Sequence, residues 1–127
     1  MGIEYRNLKK YKYQLMDNYS METEIVYGSV RYTSYIYLSK GYLTINKYYA
    51  WDGPSGPTWD SENFMRGSLV HDALYQLMRE DKIPKTNREY CDKLLKDICL
   101  EDGMSKFRAW YVYHAVRAFG RGSVERV

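Results

Sequence analysis

The stretch YIYLSKGYLTI, residues 35–45, alternates apolar and polar positions on both sides of a Lys-Gly step. Ile36 and Leu38 interleave with Tyr35, Tyr37 and Ser39, and Leu43 and Ile45 interleave with Tyr42 and Thr44. Successive strand side chains point to opposite faces, so this period predicts half-buried strands, and Lys40-Gly41 predicts a turn. The same patterning runs through residues 10–50 and predicts about four short strands. Their connections are too short for crossover helices, so the sheet is expected to be antiparallel.

The character changes at residue 52. DGPSGPTWD, residues 52–60, holds two prolines, two glycines and two aspartates, which suit a loop rather than a strand or helix interior. Three helices are expected in 61–120. The first runs from Ser61, capped by Asp60 or Ser61 itself, to Glu80. The second opens on a Thr86/Glu89 capping box and runs to about Leu100, with Gly103 suited to its end. The third runs from Ser105 to Phe119 and stops at Gly120, leaving 121–127 as a frayed tail. Strands first and helices after predict an α+β fold, with a tyrosine-rich antiparallel sheet and three helices packed on it. The expected organisation is a single domain over 1–127.

The chain has 127 residues, 45% of them hydrophobic and 28% charged, as in soluble globular proteins. Tyrosine is unusual at 15 residues, and its apolar ring with a polar tip suits contact surfaces. A formal charge of +3 is well short of a nucleic-acid signature, so nucleic acid is not expected as a partner. Lys9, Lys10 and Lys12 read as a solvated strand face. Cys91 and Cys99 lie eight positions apart on the second helix, roughly 12 Å along it, too far for a disulfide. They suit a reducing compartment. No membrane span and no signal-peptide h-region is visible.

The chemistry-bearing candidate is SLVHDALYQL, residues 68–77. Val70, Ala73, Leu74, Leu77 and Met78 make its apolar face, with His71 at the edge and Tyr75 one turn later. A half-buried histidine needs a partner for each ring nitrogen. A metal phosphohydrolase would need a histidine upstream of His71, and there is none. Ser55 in GPSGP does not match the G-x-S-x-G elbow. Zinc would need more ligands, and no phosphate-loop motif is present. His114 shares an apolar face with Phe107, Tyr111 and Ala118 and reads as a core histidine.

His71-Asp72-x-x-Tyr75 after the glycines Gly53 and Gly56 resembles, locally, the helix of secreted phospholipase A2 that follows a calcium loop. That resemblance implies that an aspartate of a second, antiparallel helix orients His71. Asp92 and Asp97 are available there, and Asp97 is preferred because it lies nearer the stripe of Tyr90, Leu94 and Ile98. It also implies that Asp72 binds a divalent cation, calcium. The family's disulfides and cysteine-flanked glycine loop are absent.

Three ordered motifs cover roughly residues 35–120: Asp52-Gly53-x-Ser55, His71-Asp72-x-Leu74-Tyr75 and Ala115-Val116-Arg117-x-Phe119-Gly120. Together they resemble domain-of-unknown-function family 1353 of tailed phages and prophages. The chain departs from that pattern where Gly56 precedes Pro57. The resemblance implies a phage or prophage origin in host cytoplasm or virion, and no established activity. Three functions follow as expectations. The first is a virion-associated or host-interaction protein with a protein partner, and a homo-oligomer would suit it. The second is a hydrolase-like enzyme with His71, Asp72 and Asp52 or Asp97 catalytic, Ser55 and Tyr75 binding and Asp72 at the metal. The third is a nucleotide- or anion-binding module.

Overall fold

The structure is a computed structural model that describes residues 2–7, 13–53 and 62–125. It is α+β: antiparallel strands come first and three helices after. The chain divides into two compact units, Gly2–Asp52 and Gly53–Val127.

Among the described residues the first unit holds seven strands: β1 Tyr5–Asn7, β2 Tyr13–Leu15, β3 Tyr19–Glu22, β4 Arg31–Tyr32, β5 Ile36–Ser39, β6 Tyr42–Ile45 and β7 Ala50–Trp51. They form two antiparallel sheets, β1-β2-β7 and β3-β6-β5-β4, rather than one sheet of about four strands. Side-chain bonds to the backbone, one local and one long-range, mark the break between β2 and β3. Asp17 takes the Asn18 amide on its side chain, and Asn18 in turn takes the Lys47 amide. Such side-chain bonds draw the backbone out of a ladder.

The 35–45 stretch forms a hairpin. Lys40 and Gly41 both have positive φ, +50° and +85°, as a two-residue primed turn requires. Gly41 is also fixed by space, because a Cβ there would meet the Thr23 carbonyl oxygen at 2.6 Å. Ile36, Leu38, Leu43 and Ile45 are buried, and each stabilises the unit by about 1.5–3 kcal/mol relative to exposure. In the smaller sheet Tyr13 lies edge-on to Tyr5 and against Trp51, and Trp51 stacks on Tyr49.

The second unit holds α1 Glu62–Arg79, α2 Arg88–Glu101 and α3 Lys106–Phe119. The expected Thr86/Glu89 capping box does not form. The Asn87 amide bonds back to the Pro84 carbonyl, closing a 3-10 turn over Lys85–Asn87, so α2 starts two residues later than Thr86. Gly103, at φ +99°, ends α2 in a Schellman arrangement: the Met104 amide reaches the Cys99 carbonyl and the Gly103 amide reaches that of Leu100. The Ser105 side chain then caps α3 by accepting from the Arg108 amide.

Phe64, Leu95, Cys99, Met104, Ala109 and Val112 make one core cluster of this unit, with Val116 against it. Gly67 sets the approach of α1 to α2, since a Cβ there would sit 2.9 Å from Leu95 Cδ1 and 3.0 Å from Cys99 Sγ. Nearby, buried Arg66 donates to Glu101 and makes a two-pronged pair with Asp102, tying the start of α1 to the end of α2.

The third helix turns the other way from the sequence expectation. Its core face is Ala109, Val112 and Val116, while Phe107 and Trp110 are 76% and 56% exposed and His114 is exposed against Trp110. Small side chains allow close helix packing, and an exposed aromatic is no violation of the rule that apolar residues go inside. His114 is therefore not a core histidine.

Candidate functional site

His71 and Tyr75 are four residues apart on α1, so they project from one face with their rings 4.0 Å apart. Arg88 and Asp92 have the same spacing on α2. The two faces meet at the Asp92 carboxylate, whose side chain is fully buried. His71 Nε2 lies 2.7 Å from Asp92 Oδ1, and the Tyr75 hydroxyl donates to the same oxygen. From α3, Arg117 Nη1 donates to Oδ2 at 3.0 Å. Arg88 Nε donates to the Tyr75 hydroxyl at 3.1 Å, and its Nη2 donates to the carbonyls of Val116 and Arg117. One buried carboxylate thus gathers all three helices.

The last motif closes this cluster from below. A Cβ at Gly120 would stand 2.5 Å from the Val116 carbonyl oxygen and 2.7 Å from the Tyr75 hydroxyl. The φ of Gly120 is −80°, so glycine is needed there for space rather than for a left-handed backbone.

Electrostatics follow from the burial. Desolvation opposes ionisation of Asp92, but the bonds from His71 and Tyr75 and the nearby charges outweigh it and hold its carboxyl below the usual range. Burial also opposes protonation of His71, yet Asp72 and Asp92 outweigh it and raise the imidazole above its ordinary value. Tyr75 is pushed up by burial and then by Asp92. An ionised Asp92 accepts the Nε2 proton, which leaves Nδ1 as the basic nitrogen of the neutral ring. That nitrogen lies 3.9 Å from Asp72 Oδ1, and Asp72 is half-buried.

Asp97 is not the partner of His71. It is exposed, because the buried stripe of α2 is Cys91, Asp92, Leu95, Ile98 and Cys99 rather than Tyr90, Leu94 and Ile98. Five residues separate Asp92 from Asp97, which is roughly 140° around a helix. Asp52 is exposed and belongs to the strand unit. Ser55 lies outside the described residues, as do Lys9, Lys10 and Lys12. Tyr75 sits in the site, bonded to Asp92. Sequence spacing alone does not mark Arg88, Arg117 or Gly120 as site residues. The available signals were the i,i+4 spacing of Arg88 and Asp92 and the Ala-Val-Arg-x-Phe-Gly segment.

Among the described residues, no group of three or more His, Cys, Asp or Glu could hold a metal ion. Asp92 is occupied by His71, Tyr75 and Arg117, and Asp72 is the second carboxylate beside the imidazole. Both cysteines are free and buried, and burial pushes the Cys91 thiol up and the Cys99 thiol to about 12, so neither reads as a nucleophile. No described helix is long and apolar enough to cross a membrane.

A family model described as Protein of unknown function (DUF1353) matches residues 30–116. The matched span holds His71, Tyr75, Arg88 and Asp92 and ends one residue before Arg117. No curated protein and no solved structure matches the chain.

Proposed function

The chain belongs to the DUF1353 family of proteins of unknown function, and from the geometry of its own residues we propose that the helical unit is a hydrolase-like enzyme with His71 as general base. The observation that carries this is the bond between His71 Nε2 and the buried Asp92. It holds the ring in one tautomer and aims the basic Nδ1 toward the Asp72 side. Nδ1 takes a proton from water as the oxygen attacks an acyl carbon, Asp92 stabilises the imidazolium that forms, and the imidazolium returns the proton to the leaving oxygen as the acyl–oxygen bond breaks. Asp72, whose carboxylate lies 3.9 Å from Nδ1, adds to the stabilisation of the imidazolium charge.

The test is hydrolysis of a p-nitrophenyl ester series, acetate to palmitate, with and without millimolar calcium. General-base catalysis contributes about 10²–10⁴-fold, and His71→Gln should lose that factor while keeping its helical circular dichroism. A base must be unprotonated. Since the folded pKa of His71 is raised, kcat/KM should climb with pH through a value above the ordinary 6.5. A rate no higher than background, or one untouched by His71→Gln, would sink the reading.

A second reading, a virion-associated or host-interaction protein, is supported by the outward aromatic row of α3, Phe107, Trp110 and His114. Exposed aromatics of this kind mark contact surfaces. Mass spectrometry of purified particles from a phage that encodes the chain should find it in fixed ratio to the structural proteins, and its absence would dismiss this reading.

A further inference from the structure

The central strands of the four-stranded sheet, β5 and β6, sort their two faces. Ile36 and Leu38 of β5 and Leu43 and Ile45 of β6 point to the buried face. The alternate positions form two rows on the other face. Tyr32 pairs with Tyr37, Tyr37 with Thr44 and Thr44 with Ser20 in one row, and Ser39 pairs with Tyr42 and Tyr42 with Glu22 in the next. Tyr32, Tyr37 and Tyr42 are 57%, 41% and 50% exposed. The rings of Tyr32 and Tyr37 stack at 5.8 Å with 12° between their planes. Tyr37 and Tyr42 are diagonal neighbours, about 7–8 Å apart on a sheet. The Ser20 hydroxyl donates to that of Thr44 at 3.2 Å.

The chemistry of these rows narrows the occupant. They carry three phenol rings, three aliphatic hydroxyls and one carboxylate, Glu22, with no cation and no branched aliphatic side chain. An anionic ligand finds no counter-charge among them. An apolar protein partner finds no aliphatic surface to interlock with. A neutral sugar meets both features: its polarised C–H faces rest on the negative ring faces, and its hydroxyls pair with groups that both donate and accept. Glu22 adds a strong acceptor for two adjacent sugar hydroxyls.

We propose that this tyrosine face of the strand unit is a binding surface for a neutral oligosaccharide. It is a different site from the His71 cluster and does not depend on it.

The test is an array of immobilised neutral and anionic oligosaccharides probed with the full chain. Calorimetry on the retained sugars follows, for wild type, Tyr37→Ala, Tyr42→Ala and Tyr48→Ala. All three are exposed positions, and circular dichroism confirms the fold of each variant. Neutral oligosaccharides should be retained, and Tyr37→Ala and Tyr42→Ala should each weaken binding by roughly five- to tenfold, the scale of one ring contact. Tyr48, exposed but off these rows, should not matter. Retention of anionic sugars alone, no retention, or binding indifferent to Tyr37→Ala overturns the proposal. Self-association that Tyr37→Ala abolishes, with no sugar retained, would make the face a protein contact and overturn it as well.

Discussion

The strand unit and the helical unit solve the problem of polar residues in opposite ways. In the β5–β6 hairpin of the strand unit the ladder alternates, so Tyr37 and Tyr42 turn outward and the inner face is Ile36, Leu38, Leu43 and Ile45. In the helical unit the polar groups are at the centre. Among the described residues the buried polar or charged side chains are Arg66, Ser68, His71 and Asp92, and all four lie on α1 and α2. A buried charge is costly unless it is paired, so a unit that keeps one has tied its fold to the pairing. Polar chemistry decorates the first unit and holds the second together.

The difference can be broken most directly at Asp92. Asp92→Ala leaves Arg117, Arg88 and His71 without their shared carboxylate. Breaking one side of a buried pair costs about 3–5 kcal/mol, so the helical unit should unfold at far lower urea. A loss below about 1 kcal/mol would show that hydrophobic packing alone holds the three helices. The matching change in the strand unit is Thr44→Val, which removes the acceptor of the Ser20 hydroxyl and keeps the branched shape. Cross-strand pairs of this kind contribute about 0.2–1 kcal/mol. A loss as large as that at Asp92 would erase the contrast between the units.

Much of the strand unit was legible because its signals are local. The 35–45 alternation gave the faces, and Lys40-Gly41 gave the turn. The division into two sheets was not legible, since it depends on bonds such as Asn18 to the Lys47 amide, 29 residues away. The helices were legible to within a residue or two at their ends, apart from the 3-10 entry to α2. Their rotation was not. Counting apolar residues put His114 in the core and Asp97 beside His71, because a helix with aromatics all around offers several plausible stripes. The choice among them is made by neighbours: Ala109, Val112 and Val116 pack closely, and Gly67 lets Leu95 and Cys99 approach α1.

The sequence by itself determined the order of elements, the α+β class, the family, and His71 with Tyr75 on one helix face, since all of these depend on spacing within short windows. Only the tertiary structure decided which carboxylate meets His71. Asp92 and Asp97 are similar in type and separation from His71, and burial against α1 and α3 is what distinguishes them. It also decided that Arg88, Arg117 and Gly120 belong to the same cluster, because no local period links residues 71, 92 and 120. That link exists only once three helices have packed around one charge.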